Sequence, residues 1–384
     1  MLRVGIVAGE PSGDQLGAAL ITALRACGPV EIRAMAGPCM RAAGCTELAG
    51  IEELSVMGVV EVLRHYPRLR RLRNRLLGEF LRWRPDVFVG IDVPDFTLHL
   101  EDRLKASGIA AVHYACPQVW AWRRGRVHII RRATDLVLTL FPFEAPFLRE
   151  YGVSAEFVGH PLADRIPLEI DRAAARAQLG LAPCGPVVAL LPGSRRQEYT
   201  RHLPLFLATA RILRATLPNA EFVLGAVNEH AALAMQTGLA GEDDANCRVI
   251  SGRTVEILSA ADVALCVSGT VTLEAALTKT PLVVASQLSP LSYQVLMRMV
   301  HSRWIALPNL LLEREAVPEF VQNRATPSAL AAALLTWLQD PPRRAEYTQA
   351  CLDLHRELRN NAGAAAARAI LALVARDDGP GGGR

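Results

Sequence analysis

Residues 2–14 read LRVGIVAGEPSGD, an apolar run followed by a loop that contains two glycines. The apolar run predicts a buried β-strand, and the loop predicts a tight turn leading into a helix that begins near Gln15. A strand, a short turn and a helix in this order are typical of a β-α unit around a parallel sheet.

The same pattern recurs along the chain, where short apolar runs alternate with longer stretches of helical period. Ten runs are present, at residues 4–8, 87–91, 110–114, 136–140 and 156–158 in the first half and 187–191, 221–224, 247–250, 263–267 and 282–285 in the second. Two sets of five predict an α/β chain with two doubly wound parallel-sheet domains in tandem. Ligands bind such sheets at the carboxyl ends of the strands, so we expect the site in a cleft between the domains.

Residues 159–167, GHPLADRIP, separate the two sets and contain two prolines but no apolar period. Because proline interrupts a helix, we place the boundary here, which gives an N-terminal domain of residues 1–162 and a C-terminal domain of residues 163–342. The Ala-rich residues 343–376 predict a C-terminal helical segment. Residues 377–384, which end in GPGGGR, predict a disordered tail.

Composition restricts the class of protein. The 384 residues are 51% hydrophobic and 21% charged, which supports a sizeable core and excludes global disorder. The net charge of +4 is too small to indicate a nucleic-acid partner. Eight cysteines without a CxxC pair are expected to be reduced, apolar side chains. No stretch matches a secretory signal or the ~18–20 apolar residues of a membrane span, so we expect a cytoplasmic protein.

Two loops of the first domain carry candidate ligand groups. In the loop 8–14, Gly13 and the helix start permit an anion or a hydroxyl-rich group to approach the backbone, whereas the alternative is a plain turn with Ser12 as the helix cap. After the strand 87–91 come Asp92 and Asp95, either of which could accept a proton from a substrate hydroxyl. The alternative for these carboxylates is that they cap the next helix.

A cluster of tryptophans and arginines follows the strand 110–114, in residues 118–126, QVWAWRRGR. Trp120 with Arg123 could contact an amphipathic ligand that has both an apolar and an anionic part, although a core role for the tryptophans remains the alternative.

Two loops of the second domain suit a nucleotide. Gly193, Ser194 and Arg195 combine backbone N–H groups, a hydroxyl and a guanidinium at a strand end, as a phosphate requires. Residues 268–270, Ser-Gly-Thr, predict a helix N-terminus for a diphosphate, and Glu274 one turn later could accept hydrogen bonds from ribose hydroxyls. Ordinary caps and turns are the alternative for both loops.

An apolar helical face next to basic residues is typical of a helix that contacts an anionic bilayer. Val56, Val59, Val60 and Leu63 have the i, i+3, i+4, i+7 spacing of one helix face, and six arginines lie within residues 64–75. A face packed on the core, with solvated arginines, is the simpler alternative.

Together these motifs resemble the lipid-A-disaccharide synthase family. The matching stretches lie at residues 8–14, 56–62, 85–96, 118–123, 190–195, 268–270 with Glu274, and 307–311. These stretches occur in the same order through most of the chain. Taken together they are specific for the family, although no single stretch is. The chain departs from the family loop at Pro11, where Thr or a similar residue is usual.

The resemblance implies a GT-B fold, with two facing Rossmann-like domains and a C-terminal helix that returns to the first. It implies an inverting transfer from UDP-2,3-diacylglucosamine to 2,3-diacylglucosamine 1-phosphate, which gives a β-1,6-linked disaccharide 1-phosphate and UDP. It further implies peripheral association with the cytoplasmic face of the inner membrane, and it leaves open whether the protein is a homodimer.

Residue by residue, the resemblance implies that Asp95 is the general base and that Asp86 belongs to the same acidic group. It implies that Arg195 serves activity, that Asn309 serves donor binding, and that Glu274 contacts the nucleotide. No DxD-type carboxylate pair is evident in the second domain, so we expect neither a metal ion nor another cofactor.

Two other classes remain as competitors. A UDP-sugar 2-epimerase or a different GT-B transferase would share the loops of the second domain but would not need the apolar face with its arginines. A non-catalytic, two-domain sugar-binding protein would share the cleft but usually carries a signal peptide.

Overall fold

A computed structural model describes residues 1–54, 59–121, 124–239, 247–288 and 302–377, with only the backbone for residues 59–66. The chain divides into two compact units, Met1–Asp164 with Leu358–Arg384, and Arg165–Glu357. Each unit is built around one parallel β-sheet.

The strands of the first unit are β1 (Leu2–Ala8), β2 (Val30–Ala36), β3 (Thr46–Gly50), β4 (Val87–Ile91), β5 (Ala110–Tyr114), β6 (Leu136–Thr139) and β7 (Ala155–Phe157). Those of the second are β8 (Val187–Leu191), β9 (Glu221–Ala226), β10 (Cys247–Ser251), β11 (Val263–Val267), β12 (Leu282–Ser286) and β13 (Glu319–Val321).

The helices up to the middle of the chain are α1 (Pro11–Cys27), α2 (Pro38–Ala42), α3 (Val59–Trp83), α4 (Pro94–Lys105), α5 (Val127–Ala133), α6 (Glu144–Glu150), α7 (Pro161–Arg165) and α8 (Arg172–Leu179). The later ones are α9 (Arg196–Thr216), α10 (Glu229–Leu239), α11 (Thr254–Ala260), α12 (Thr270–Leu277), α13 (Leu307–Leu311), α14 (Pro327–Gln339), α15 (Pro341–Leu358) and α16 (Ala362–Asp377).

Both sheets have doubly wound topology. Within the described residues the first sheet has the order β3-β2-β1-β4-β5-β6-β7 and the second the order β10-β9-β8-β11-β12-β13. Every pairing is parallel, and in each sheet the order reverses beside its first strand, as in a Rossmann fold. The prediction of two doubly wound α/β domains is confirmed. Each of the ten predicted runs forms a strand, whereas β2, β3 and β13 were not predicted.

The first sheet is covered on both faces. Val4 and Ile6 of β1 pack in one apolar cluster with α1 and α16, and Val7 packs in another with α3 and α4. On the face covered by α3 and α4, the rings of Phe80 and Phe88 meet edge to face with centroids 5.2 Å apart. Burial of one such ring stabilises the fold by roughly 2–3 kcal/mol, so α3 is anchored from Leu72 onward.

Helix α1 begins at Pro11, four residues before the predicted start near Gln15. Proline suits the first position of a helix because its φ is already helical and its missing N–H has no partner to lose there. The N-cap residue is Glu10, without a side-chain cap. Ser12 therefore lies inside the first turn and does not cap the helix.

The predicted segment 343–376 is divided between the two units. Most of α15 belongs to the second unit, and α16 packs on α1 in the first. A Cβ atom on Gly363 would lie 2.9 Å from the carbonyl oxygen of Ala19, so glycine permits this close approach of α16. Asp377 ends α16, and the rest of the expected tail, residues 378–384, lies outside the described residues.

The predicted membrane-facing segment is described only in part. Val56 lies outside the described residues, and the side chains at 59, 60 and 63 are not described. From residue 67 onward, Arg68, Arg70 and Arg71 are exposed on α3. No helix in the described part of the chain is both long enough and apolar enough to cross a membrane.

Candidate active site

Asp95 lies at the carboxyl end of the first sheet, in the first turn of α4. The chain reaches it through Asp92 and Val93, which both have left-handed backbone angles, with φ of 55° and 44°. The side chain of Asp95 is 76% exposed, and the Arg126 guanidinium donates a hydrogen bond to its Oδ1 atom. A carboxylate held in this way can accept a proton from a ligand hydroxyl with its other oxygen, Oδ2.

Asp92, the other candidate base, has a different environment. Its Oδ1 atom accepts a hydrogen bond of 2.8 Å from the backbone N–H of Val93. Neither aspartate caps α4, because the N-cap residue is Val93 and no side chain bonds to the first turn as a cap. The exposed candidate is therefore Asp95.

Asp14 is not the substrate contact that the sequence predicts. It is 2% exposed, and its carboxylate accepts hydrogen bonds of 2.9, 2.8 and 3.0 Å from the backbone N–H groups of Gly37, Cys39 and Met40. These groups begin α2, so Asp14 caps that helix from α1. Gly13 is also buried, whereas Ser12 is exposed, as are Glu10 and Pro11 before it.

Asp86 is separated from Asp95 by the length of β4. It lies one residue before the strand, where its Oδ2 accepts a hydrogen bond of 2.7 Å from the backbone N–H of Arg3. A strand of five residues spans about 16 Å, so the two carboxylates lie beyond opposite ends of β4. The expected acidic group therefore does not form, and Asp86 joins β4 to β1.

Trp120 is half-buried near the carboxyl ends of β5 and β6. Its Nε1 atom donates a hydrogen bond of 3.2 Å to Oε1 of Glu144, and its ring meets Phe143 edge to face at 5.0 Å. Oε2 of Glu144 accepts from the backbone N–H groups of Leu140 and Phe141. Burial nonetheless raises the pKa of Glu144 to about 7. Arg123, the other predicted contact, lies outside the described residues.

In the second unit, the loop after β8 is closed by Glu198. Its Oε2 atom accepts hydrogen bonds from the backbone N–H groups of Ser194 and Arg195, and its Oε1 accepts one of 2.9 Å from Nη1 of Arg195. Gly193 has φ of 120°, and a Cβ there would lie 2.5 Å from Cβ of Glu198. A carboxylate thus occupies the N–H groups that were predicted to bind phosphate.

Arg195 can still turn toward a ligand. Its side chain is 81% exposed, and an exposed ion pair such as that with Glu198 contributes only about 0–1 kcal/mol. A diphosphate carries more charge than one carboxylate, so it can compete for this arginine.

The second predicted phosphate loop follows β11, the neighbour of β8 in the sheet. Gly269, with φ of 152°, is the N-cap of α12, and Thr270 begins the helix with an exposed side chain. Ser268 donates through Oγ to the carbonyl of Ile305 at 2.7 Å. Glu274 lies one turn into the helix, where burial raises its pKa and Arg165 partly opposes this effect.

Asn309 supports this loop from inside the core. It is fully buried, and its Nδ2 donates hydrogen bonds of 2.8 Å to the Val317 carbonyl and to Oε1 of Glu319. Its Oδ1 accepts from the Val317 N–H at 2.8 Å. Glu319 in turn accepts from the N–H groups of Ile305 and Ala306. Asn309 therefore does not present its amide to a ligand, and it positions the segment that Ser268 contacts.

Sequence reasoning missed three groups, namely the pairing of Arg126 with Asp95, the closure of the loop by Glu198, and the buried Glu144. Only Glu198 had a readable signal, since a glutamate three residues after an N-cap is the pattern of a capping box. No three His, Cys, Asp or Glu side chains in the described part of the chain are grouped as metal ligands.

Two doubly wound parallel-sheet units of this kind define the fold class of the GT-B glycosyltransferases. Among solved structures, that of Acinetobacter baumannii MurG has a TM-score of 0.57 at 16% identity and covers 98% of this chain and 100% of its own. A Neisseria meningitidis UDP-GlcNAc 2-epimerase bound to UDP-GlcNAc has a TM-score of 0.64 at 12% identity, covering 98% and 100%.

Within this fold the chain belongs to the lipid-A-disaccharide synthase family. The family model described as lipid-A-disaccharide synthetase matches residues 4–372. The lipid-A-disaccharide synthase of Pseudomonas aeruginosa strain UCBPP-PA14 is 49% identical over 376 residues, 98% of this chain and 99% of that protein. That of Alkalilimnicola ehrlichii is 49% identical over 383 residues, 97% and 99%. The resemblance in the motifs is confirmed over nearly the whole chain.

Proposed function

We propose that this protein transfers the sugar of UDP-2,3-diacylglucosamine to 2,3-diacylglucosamine 1-phosphate, with release of UDP. The new β-1,6 bond forms with inversion, so the acceptor hydroxyl attacks the anomeric carbon from the face opposite the leaving UDP. A base must therefore serve the acceptor, and separate groups must hold the diphosphate.

The observation that carries the proposal is the exposed, arginine-bound carboxylate of Asp95. Arg126 fixes one oxygen and the other stays available for the 6-hydroxyl of the acceptor, which loses its proton as the new bond forms. Holding the base and the hydroxyl in reacting geometry lowers the barrier, because the entropy of bringing them together is lost on binding and not in the reaction itself.

The donor diphosphate would bind to the second unit. As the sugar–oxygen bond breaks, negative charge grows on the β-phosphate, and Arg195 with the N-terminus of α12 would stabilise it. Glu274 would accept hydrogen bonds from ribose hydroxyls. This division of work assigns no step to a metal ion or to a cofactor.

We further propose that the protein works in the cytoplasm, at the inner-membrane surface. Both substrates carry two acyl chains and reside in a bilayer, and the exposed arginines of α3 suit its anionic headgroups. Binding of this kind weakens as salt is raised.

The test is an assay of UDP release from UDP-2,3-diacylglucosamine, with and without the acylated 1-phosphate acceptor. We expect release that depends on the acceptor. Release without acceptor indicates a hydrolase, conversion of the donor sugar indicates an epimerase, and binding without turnover indicates a sugar-binding protein. Each of these outcomes contradicts the proposal.

A further inference from the structure

One pair of ionisable side chains in the first unit is completely buried and has no part in the chemistry described above. Oε1 of Glu101, on α4, lies 2.8 Å from Nδ1 of His113, on β5, and both side chains have no exposed surface. Burial raises the pKa of the Glu101 carboxyl, with the His113 interaction acting in the opposite direction. Buried ion pairs are often replaced by apolar residues without loss of stability, so stability alone does not explain this one.

The pair lies directly against the end of β4. Gly90 is opposite His113 in the register of β4 and β5. A Cβ atom on Gly90 would lie 2.0 Å from Oε1 of Glu101, so the strand has room there for glycine only. Glu101 therefore contacts both strands at a point two residues before the turn that leads to Asp95.

The same face of α4 also holds that turn. Thr97, one helical turn before Glu101, donates through Oγ1 a hydrogen bond of 2.9 Å to the carbonyl of Asp92. From the other side, the carbonyl of Tyr114, next to His113, accepts a hydrogen bond of 3.0 Å from the Asp92 N–H. The turn is thus clamped between α4 and β5.

A clamp is needed because the turn is strained. Asp92 and Val93 both have positive φ, and a β-branched residue such as Val93 is rarely found in that region. Each such residue costs about 1–3 kcal/mol and persists only where its surroundings enforce the conformation.

We propose that Glu101 and His113 are positioning residues, which hold α4 and the strained turn so that Asp95 meets the acceptor hydroxyl. The inference rests on the proposed function, in which Asp95 is the base. A displacement of about 1 Å at a reacting group can lower a rate by as much as 10²-fold, so loss of the clamp should lower turnover while leaving the donor site in the second unit unaffected.

The test compares Glu101→Leu with Glu101→Gln in acceptor-dependent UDP release. Leucine removes the hydrogen bond at similar volume and should lower kcat at least tenfold with unchanged UDP affinity, whereas glutamine can still bond to His113 and should stay within threefold of the parent. Asp102→Asn is the matched control, because Asp102 is the next residue on α4 but bonds to Arg132 at the surface.

The double variant Glu101→Leu with Asp95→Asn distinguishes a role in positioning Asp95 from a general role in stability. If the pair acts through Asp95, Glu101→Leu should lower the residual rate of Asp95→Asn by less than twofold. An equal loss in both backgrounds, a parallel loss of UDP affinity, or normal turnover of Glu101→Leu would overturn the inference.

Two further controls keep the result decisive. If Glu101→Leu does not fold, Thr97→Val removes the hydrogen bond to Asp92 and should lower kcat at least threefold, and normal turnover overturns the inference. If Asp95→Asn alone keeps normal turnover, the base assignment of the proposed function fails. If Glu101→Leu keeps normal turnover while Asp95→Asn loses it, the base assignment stands and the positioning role fails.

Discussion

Arg126 donates a hydrogen bond to Oδ1 of Asp95 across 31 residues of sequence. The arginine side chain is 15% exposed and the aspartate side chain 76% exposed, so a largely buried cation holds a carboxylate that reaches solvent. Such an arrangement holds Oδ1 of the carboxylate while most of the side chain stays accessible to solvent. It is the geometry expected of a base that serves a substrate hydroxyl.

Asp95→Asn should lower turnover by a factor of 10²–10⁴, the usual scale for loss of a general base. The amide keeps the size of the side chain but accepts no proton, so UDP affinity should not change. The measurement is kcat from acceptor-dependent UDP release, with calorimetric titration of UDP as a control for folding. Turnover within threefold of the parent would contradict the assignment.

Arg195→Ala should weaken UDP binding about tenfold or more, because a charge-assisted hydrogen bond to a phosphate is lost. Arg172→Ala is a suitable control. Arg172 pairs with Asp262, which lies just before β11 and therefore at the amino ends of the strands, away from the loop that holds Arg195. Titration of UDP into both variants gives the comparison. Equal affinity of the two variants would argue against a phosphate role for Arg195.

Asp14→Asn should destabilise the first unit by about 1–3 kcal/mol, because an amide cannot accept all three N–H groups at the start of α2. At a temperature well below unfolding, kcat/KM should stay within threefold of the parent. Thermal unfolding and steady-state kinetics on the same preparation provide both values. A large loss of activity with unchanged stability would restore Asp14 as a substrate contact.

Glu144→Gln should remove a pH dependence of stability. The pKa of Glu144 is about 7 in the folded protein against an ordinary value of 4.5, so the folded state binds more protons between these limits. The contribution of Glu144 to stability therefore falls as pH rises through this window, by about 3 kcal/mol in all.

The measurement is the difference in unfolding free energy between Glu144→Gln and the parent at pH 5 and at pH 8. Glutamine has no titratable proton and resembles the protonated carboxyl, so the two proteins should differ least at pH 5, and the parent should lose more stability than the variant between pH 5 and pH 8. Parallel pH profiles of the two proteins would contradict the raised pKa.

The sequence predicted strands best where they are buried on both faces. The residues of β8 and β11 are all buried, and both runs are continuously apolar. By contrast β2 carries Glu31 and Arg33, which form a partly exposed ion pair, and β13 at the sheet edge has only three residues. β2 does alternate apolar and charged residues, in Val30-Glu31-Ile32-Arg33, but a search for continuous apolar runs does not detect this pattern.

The sequence predicted which loops carry the candidate site, but it did not predict which contacts their side chains make. Strand ends identified the positions of Asp95, Arg195 and Thr270, because the carboxyl edge of a parallel sheet follows from the pattern of the chain. The pattern could not show that Asp14 and Asn309 point inward. In a sequence, a polar residue that is buried with all its hydrogen bonds made looks the same as one that is exposed.

The structure of the reaction product tests the central claim most directly. After incubation with both acylated substrates, nuclear magnetic resonance of the isolated lipid gives the position and the anomeric configuration of the new bond. We predict a single β-1,6-linked disaccharide 1-phosphate. A free diacylglucosamine, an epimerised donor or an α-linked disaccharide would contradict an inverting transfer to the acceptor hydroxyl.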